Sequence, residues 1–272
     1  MIIGAHMSIG KGPEQALADA LSIQATTMQI FTRNPRGGKA KVLTSEVCER
    51  FRAKVKEANF GPWVAHAPYT VNLASQKQDV REFGVQILKE DIQRMCCLGC
   101  DRMVVHAGSH TGQGDEKGLE LLIESLAEVL KECPQDFRIL LEGMSGSGTE
   151  LGRNFEQLAY VLNVLNTEKL GVCFDTAHLW GAGYDVCAWD ELWQEIDRVI
   201  TVKKIGAIHL NDSIVARGSK KDRHGAIGKG TIGGENLRKI AQFISKANLP
   251  MILETPNELA MWKEEIVFLR GE

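Results

Sequence analysis

Eight short apolar runs divide the chain at regular intervals, and a helix candidate follows each one. Most runs are continuously apolar, as expected for parallel strands that are covered by helices. The predicted strands are residues 2–9, 26–32, 62–68, 102–107, 138–143, 170–176, 205–211 and 250–255. The predicted helices are residues 13–23, 45–58, 79–98, 116–131, 154–165, 188–199, 235–246 and 258–269, with starts marked by Pro13, Thr44 or Ser45, Asn154 and Pro256. Eight such units predict an α/β fold, a (β/α)8 TIM barrel.

Length and composition agree with one catalytic domain over residues 1–272. A barrel of this kind needs about 250 residues, and a hydrophobic content of 44% is enough for a closed strand core and a ring of helices. The net charge of −3 excludes a generally basic nucleic-acid binder, although it says nothing about local patches. The chain begins in a strand-like run without a signal-peptide pattern, and its apolar stretches are too short to span a bilayer. We therefore expect a cytoplasmic monomer that is not attached to a membrane.

The seven cysteines do not form a pattern that is typical of a zinc knuckle. Three of them lie in the segment MCCLGC, as Cys96, Cys97 and Cys100, and no second pair follows at zinc-ribbon spacing. The others are scattered along the chain, as Cys48, Cys133, Cys173 and Cys187. We expect buried or half-buried free thiols in a reducing compartment.

Six of the apolar runs end on a side chain that can bind a metal ion. These residues are His66, His106, Glu142, Asp175, His209 and Glu254, separated by 40, 36, 33, 34 and 45 residues. That interval is about one strand, one helix and two loops, so the six side chains should meet at the C-terminal mouth of the barrel, where TIM-barrel enzymes have their active sites. Taken singly, each could be a hydrogen-bonded core histidine, a cap or an ion-pair partner. Six such residues at matching strand ends would leave buried charge without a counter-ion. The regular pattern therefore favours metal binding.

Two further segments add metal-capable residues. Asp175 and His178 lie three apart in FDTAH, and Asp222 and His224 lie two apart in KDRHG. His178, Asp222 and His224 would form a second set of two histidines and one carboxylate, although DRH alone could be a solvated polar loop. Imidazole and carboxylate ligands without thiolate suit Zn²⁺, Mn²⁺ or Fe²⁺ in a catalytic site with open positions.

Two long loops open on the same face of the predicted barrel. They are residues 32–44, TRNPRGGKAKVLT, and residues 211–234, NDSIVARGSKKDRHGAIGKGTIGG. Loops of this length in a compact domain are usually functional. Both carry basic residues, namely Arg33, Arg36, Lys39 and Lys41 on the first and Arg217, Lys220, Lys221 and Arg223 on the second. These side chains are candidate phosphate contacts, and the alternative for each is a solvated charged loop.

The motifs resemble those of the endonuclease IV type apurinic/apyrimidinic (AP) endonucleases, which are trinuclear zinc TIM barrels of base-excision repair. The resemblance covers essentially the whole chain, through GAHMSI, FTRNPR, HAPYTVNLA, VVHAGSH, GVCFDTAH, HLNDSIVARGSKKDRH, GKGTIG and ILETP. It implies three zinc ions per chain, with Mn²⁺ as an alternative at one or more sites. By this resemblance His66, His106 and Glu142 would hold the first ion. Glu142, Asp175, His209 and Glu254 would hold the second, and His178, Asp222 and His224 the third.

Some positions depart from the family pattern. Tyr69 is followed by Thr70 and Val71 where two bulky apolar residues are usual, and Ala177 stands where the family has Cys. Ile214 replaces a Lys, and Gly143-Met144 follows Glu142 where the family has Asn-Thr. None of these changes removes a proposed metal ligand. They bear on DNA insertion and phosphate contact, particularly through Thr70 and Ile214.

The resemblance implies the activity of a deoxyribonuclease IV. Such an enzyme hydrolyses the phosphodiester bond 5′ to an abasic site in duplex DNA, leaving a 3′-hydroxyl and a 5′-deoxyribose phosphate. Glu142 would be the catalytic residue, bridging two ions and orienting the attacking water. Tyr69 and Arg36 match positions that push into the duplex at the damaged site. Asn211, His6 and His110 lie near the predicted mouth as candidates for supporting a ligand residue or contacting a phosphate, and Asn211 is favoured as a DNA contact.

Two other functions remain open from the sequence. The barrel superfamily includes sugar isomerases and epimerases, which use a metal at the same strand ends. Such enzymes need neither the DRH set nor basic rim loops, so both features argue against them. A non-catalytic DNA-lesion binder would have no need to keep Glu142 and Glu254 together.

Overall fold

The computed structural model describes residues 1–36 and 40–272. Parallel strands close into a barrel in the order β1-β10-β7-β6-β5-β4-β3-β2, and β1 pairs with β2 to complete it. The barrel strands are β1 (Ile3–Met7), β2 (Gln29–Phe31), β3 (Val64–His66), β4 (Arg102–His106), β5 (Arg138–Gly143), β6 (Leu170–Asp175), β7 (Ile205–His209) and β10 (Met251–Leu253). The short antiparallel strands β8 (Asp212–Ser213) and β9 (His224–Gly225) pair outside the barrel. The predicted (β/α)8 barrel is therefore confirmed.

Helices cover the outside of the barrel. They are α1 (Pro13–Ser22), α2 (Ser45–Glu57), α3 (Gln78–Leu98), α4 (Asp115–Glu132), α5 (Phe155–Leu165), α6 (Thr176–Ala182), α7 (Trp189–Val199), α8 (Gly234–Lys246) and α9 (Leu259–Arg270). Every predicted helix is present within two residues at each end. The short helix α6 was not predicted, because it continues directly from β6 and is too short to display a period. Among the described residues, no helix combines the length and apolar character needed to cross a bilayer.

The marked helix starts act as expected at three of four positions. Thr44 caps α2 by accepting a hydrogen bond from the Val47 amide, and Asn154 caps α5 by accepting one from Gln157. Pro13 is the first residue of α1, where its missing N–H costs nothing. The prediction that Pro256 marks the start of the last helix is wrong, since α9 begins at Leu259.

The barrel interior is filled by one layer of apolar side chains below the mouth. This buried layer consists of Val64, Val104, Leu140, Cys173, Ala207 and Ile252. Leu140 fits because Gly206 faces it, and a Cβ on Gly206 would lie 2.4 Å from the Leu140 Cδ2 atom. A dry layer at this depth closes the barrel beneath any polar site at its upper end.

The prediction that all cysteines are free thiols is wrong for one pair. Cys48 on α2 and Cys97 on α3 form a disulfide, with Cα atoms 5.8 Å apart. The packing of α2 against α3 creates this proximity, which separation along the chain does not reveal. The remaining cysteines are free, and burial raises the pKa of the Cys100 thiol to about 12. Cys187 is exposed rather than buried or half-buried.

The loop after β7 is ordered around a buried carboxylate. Asp212 accepts hydrogen bonds from the amides of Gly228 and Gly230, each at 3.0 Å, and from Ile232 at 3.0 Å. The same loop contains the β8–β9 pair, in which Ser213 lies opposite His224. These contacts fold the loop back over the mouth and hold His224 there.

Candidate metal centre

The six strand-end residues share one face of the barrel wall because of strand periodicity. Side chains two residues apart point to the same side of a strand. Each strand-end residue follows a member of the buried interior layer by two positions, as His66 follows Val64 and Glu142 follows Leu140. The sequence pattern therefore places a polar ring directly above the apolar layer. The structure brings all six strand-end side chains together at the C-terminal mouth.

The first group of potential ligands lies at the ends of β3, β4 and β5. Nε2 of His66 is 3.3 Å and Nε2 of His106 is 3.2 Å from the Oε2 atom of Glu142. His66 and Glu142 are buried, whereas His106 is half-buried. Potential ligand atoms of the three residues lie within 4.8 Å of one another, which is close enough to share one cation.

The second group surrounds His209 at the end of β7. Its Nδ1 atom lies 2.9 Å from Oε1 of Glu142, 3.1 Å from Oε2 of Glu254 and 3.9 Å from Oδ2 of Asp175. Glu142 thus faces the first group with one oxygen and the second with the other. This position allows its carboxylate to bridge two cations.

The third group combines the start of α6 with the long loop after β7. Nε2 of His178 is 3.3 Å from Oδ2 of Asp222, and Nε2 of His224 is 3.2 Å from Oδ1 of the same residue. Asp175 also approaches this group, with Oδ2 at 3.4 Å from Nε2 of His224. Asp175 caps α6 by accepting hydrogen bonds from the amides of Ala177 and His178, which explains how one short helix holds both side chains. All nine predicted ligand residues are therefore gathered at the mouth.

Hydrogen bonds to carbonyl oxygens orient three of these histidines. Nδ1 of His66 donates to the Ala67 carbonyl at 2.6 Å, and Nδ1 of His178 donates to the Gly143 carbonyl at 3.1 Å. Nδ1 of His224 donates to the Glu254 carbonyl at 3.2 Å. In a neutral ring the second nitrogen then carries a lone pair, which points at a carboxylate. This is the arrangement that protein metal sites use to fix a histidine ligand.

The electrostatics of the mouth also fit a divalent cation. Among the described residues, Nε2 of His178 and Nε2 of His224 are buried and make no well-directed hydrogen bond, although oxygens of Asp222 lie 3.3 and 3.2 Å away. Burial opposes ionisation of Glu142, but His209 and His106 outweigh it and hold the pKa of Glu142 well below its usual range. Burial likewise opposes protonation of His178, yet Asp175 raises its pKa well above the ordinary value. Ionised carboxylates aimed at orphaned imidazole nitrogens form a donor set that a divalent cation would satisfy.

Tyr69 lies beside the first group and remains open to solvent. Its ring centroid is 5.6 Å from that of His106 and 5.1 Å from that of Phe31, and 59% of the residue surface is exposed. Partial burial, Glu254 and Glu142 raise the pKa of Tyr69 to about 12, so the phenol stays neutral. The position suits an aromatic ring that contacts a ligand above the site.

Two of the predicted DNA contacts, Arg33 and Asn211, have buried side chains. Arg33 is 4% exposed, and its guanidinium donates to the buried carboxylate of Asp91. Asn211 is also buried, where its Nδ2 donates to Oδ2 of Asp175 and its Oδ1 accepts from the Glu254 amide, both at 2.7 Å. Arg33 anchors its loop to α3, and Asn211 holds two ligand-bearing segments together.

The two candidate supporting residues differ in their contacts. Nδ1 of His6 is 2.8 Å from Oε1 of Glu254, so His6 contacts a ligand residue as expected. His110 instead accepts hydrogen bonds from the amides of Gly112 and Gly114. Its imidazole orders the loop after β4, and a part for His110 at the mouth stays a prediction.

The remaining basic candidates lie on the surface near the mouth. Arg36, Lys220, Lys221 and Arg223 are exposed. Arg217 is exposed too, although it pairs with Asp185 at 2.5 Å and lies over the Trp180 ring. Lys41 donates to the Gly10 carbonyl, and Lys39 falls outside the described residues. The four exposed residues Arg36, Lys220, Lys221 and Arg223 form a basic rim that could approach a phosphate backbone.

Gln29 is a site residue that sequence reasoning missed. It is buried on β2, where Nε2 donates to Oε1 of Glu254 at 2.7 Å and Oε1 accepts from Nε2 of His209 at 2.8 Å. The available signal was a single amide within the apolar run TMQIF. It was overlooked because Gln29 is not a metal-capable residue and does not end its strand.

A closed barrel with clustered imidazoles and carboxylates at its mouth defines a TIM barrel whose mouth could hold metal ions. A family model described as a xylose isomerase-like TIM barrel matches residues 17–272. Probable endonuclease 4 of Heliobacterium modesticaldum is 46% identical, covering 100% of this chain and 99% of that protein. The corresponding protein of Alkaliphilus oremlandii is 44% identical, with 98% and 96% covered. The solved endonuclease IV of Thermus thermophilus superposes with a TM-score of 0.90 at 30% identity, covering 100% and 98%. The chain belongs to the endonuclease 4 family of xylose isomerase-like TIM barrels.

Proposed function

We propose that this protein is a zinc-dependent AP endonuclease of base-excision repair, acting as a cytoplasmic monomer on duplex DNA. The observation that carries the proposal is the group of three ligand sets at one open mouth, joined through Glu142 and Asp175. Family membership supports an endonuclease. The reaction would add water across the phosphodiester 5′ to an abasic site, breaking the bond from phosphorus to the 3′ oxygen. Its products are a 3′-hydroxyl and a 5′-deoxyribose phosphate.

Each ligand set would hold one divalent ion. His66, His106 and Glu142 would hold the first, and Glu142, Asp175, His209 and Glu254 the second. His178, Asp222 and His224 would hold the third, with Asp175 close enough to contribute. When bound, such ions lower the pKa of water, polarise phosphoryl oxygens and stabilise a leaving oxygen. Zinc suits the nitrogen and oxygen donors, and Mn²⁺ at one or more sites is the alternative.

The chain's own residues would position the substrate. Glu142 is buried at the junction of the first two sets, where its ionised carboxylate can orient an attacking water. The ligand carboxylates are too few to neutralise three divalent ions, so the mouth would attract a phosphate although the whole chain is slightly acidic. Tyr69 and Arg36 would enter the duplex at the lesion, and the basic rim would contact its backbone.

A sugar isomerase or epimerase of the same barrel class is the strongest alternative. The third ligand set argues against it, because one metal at the strand ends suffices for moving protons or hydride on a polyol. The basic rim argues in the same direction, since an isomerase acting on a small neutral sugar needs no such basic residues as Lys220 and Lys221. A non-catalytic lesion binder would have no use for the bridging position of Glu142.

An incision assay tests the proposal. Duplex DNA with one abasic site should be cut on its 5′ side, leaving an end that a polymerase extends, while undamaged duplex stays intact. Glu142→Gln should abolish incision and weaken duplex binding far less. Glu168→Gln, at an exposed carboxylate that pairs with Lys204 at the other end of the barrel, is the matched control and should cut normally. Conversion of a ketose or aldose without DNA incision would refute the proposal.

A further inference from the structure

Gln29 connects a carboxylate and an imidazole that both face the second ligand group. Its Nε2 atom lies 2.7 Å from Oε1 of Glu254, and its Oε1 atom lies 2.8 Å from Nε2 of His209. His6 donates to the same Glu254 oxygen from Nδ1 at 2.8 Å. Gln29 is buried, so water does not compete for these bonds. The amide is therefore held at both ends.

The direction of these hydrogen bonds follows from the chemistry of the three groups. An ionised carboxylate can only accept, so the group of Gln29 that faces Glu254 must be the NH2. The amide oxygen is then turned toward His209, and because this oxygen can only accept, Nε2 of His209 must carry a proton. A flipped amide would set two acceptor oxygens 2.7 Å apart. The unflipped amide avoids this repulsion, and Nε2 of Gln29 and Nδ1 of His6, 3.0 Å apart, then both donate to the same Glu254 oxygen.

The consequence appears at the opposite edge of the imidazole. With the proton on Nε2, a neutral His209 presents the lone pair of Nδ1 to the second ligand group. That atom lies 2.9 Å from Oε1 of Glu142 and 3.1 Å from Oε2 of Glu254. The other three histidines with carbonyl partners present Nε2 instead, so His209 is oriented by a side chain where they are oriented by the backbone.

We propose that Gln29 is a positioning residue. It donates to Glu254 and accepts from Nε2 of His209, and it thereby fixes Nδ1 of His209 as the nitrogen that faces the metal centre. The inference rests on the proposed metal centre and deepens it. It assigns to β2 a part in the site, although β2 carries none of the nine ligands. Groups that orient a histidine ligand typically change metal affinity about 10–100-fold when they are removed.

The test compares two substitutions of Gln29 with a matched control on the same side of the barrel wall. Gln29→Leu removes both bonds, whereas Gln29→Glu keeps an acceptor for His209 and loses the donor to Glu254. Thr27→Val removes a buried hydrogen bond to the Pro62 carbonyl, two residues away at the closed end of the barrel. Circular dichroism establishes that each variant is folded.

Two readouts decide the inference. In protein with ¹⁵N-labelled histidine and bound ¹¹³Cd²⁺, the wild type should couple cadmium to Nδ1 of His209, with a proton on Nε2. Gln29→Leu should raise the dissociation constant of one ion about 10–100-fold and lose the single tautomer. Gln29→Glu should keep the proton on Nε2, and Thr27→Val should behave as the wild type.

The result that overturns the inference is distinct from failure of the proposed function. If Gln29→Leu retains its ions and the His209 tautomer as Thr27→Val does, Gln29 does not orient His209. If the wild type binds no ion at all, the metal centre itself is refuted. The ¹⁵N spectrum of the ion-free protein then still tests Gln29, since loss of the proton from Nε2 of His209 would contradict its role, whereas a proton on Nδ1 is expected there beside Glu142 and Glu254.

Discussion

Arg33 and Asp91 form a buried, bidentate ion pair beneath the loop that follows β2. Nε of Arg33 is 2.9 Å from Oδ2 of Asp91, and Nη2 is 2.7 Å from Oδ1. Thr32 adds a hydrogen bond to the same carboxylate at 2.6 Å. Because Asp91 belongs to α3, the pair fixes the start of this loop to the body of the barrel.

Arg33→Ala should destabilise the protein by about 3 kcal/mol, because it leaves the Asp91 carboxylate buried without its main partner. Urea unfolding followed by circular dichroism measures this. Arg36→Ala is the matched control on the same loop, and an exposed arginine should change the free energy of unfolding by less than about 0.5 kcal/mol. Equal urea midpoints for the two variants would show that the Arg33–Asp91 pair contributes nothing to the free energy of unfolding.

The second prediction concerns metal content. Purified without chelators, the protein should contain close to three ions per chain, mainly zinc, because three ligand sets are present. His224→Ala should lose about one ion and keep the fold, since His224 lies on the outer loop rather than in the barrel wall. Elemental analysis with circular dichroism checks both points. One equivalent or fewer in the wild type would contradict a trinuclear site.

The barrel and the ring of metal-capable residues could be predicted from sequence because both follow from strand periodicity. His66, Glu142 and Asp175 end apolar runs at a regular interval, and parallel strands place such residues at one mouth. The roles of the loop side chains could not be predicted in the same way. Whether Arg33 faces solvent or Asp91 depends on how its loop packs on α3, and both outcomes suit the same sequence.

Contacts between distant segments account for the other differences. The Cys48–Cys97 disulfide depends on the packing of two helices, and the role of Gln29 depends on the relative rotation of β2 and β7. The buried Asp212 orders its loop through backbone amides, which carry no sequence signal of their own. These interactions determine how precisely the predicted residues are held, but sequence spacing does not encode them.

The third prediction separates backbone contact from recognition of damage. Lys220→Ala or Lys221→Ala should weaken binding to abasic and intact duplexes similarly, because phosphate contacts are present in both. Each change should reduce the slope of log affinity against log salt by about 1. Fluorescence anisotropy over a salt series measures this. Lys246→Ala, an exposed lysine in the last turn of α8, is the control and should leave the slope unchanged. A loss confined to abasic duplex would argue against phosphate contact.

Damage recognition is expected to depend on Tyr69. An abasic nucleotide lacks stacking and pairing, so extruding it costs less than the few kcal/mol that an intact nucleotide requires. The exposed Tyr69 ring could fill the gap left in the stack, together with Arg36. Thr70 is exposed and is smaller and more polar than the residue usual in the family. The ring and Arg36 should therefore carry most of the effect.

Tyr69→Ala should lower affinity for abasic duplex by about 1–3 kcal/mol, the range for stacking a base on an aromatic ring. Affinity for intact duplex, measured at the same salt concentration, should hardly change. Because the ring also contacts His66 and His106, metal content must be measured in the same preparation. Tyr160→Ala, at an exposed tyrosine on α5, is the matched control and should bind both duplexes normally. If Tyr69→Ala weakens both duplexes equally while the metal content is unchanged, Tyr69 does not act as a wedge and instead packs beside His66.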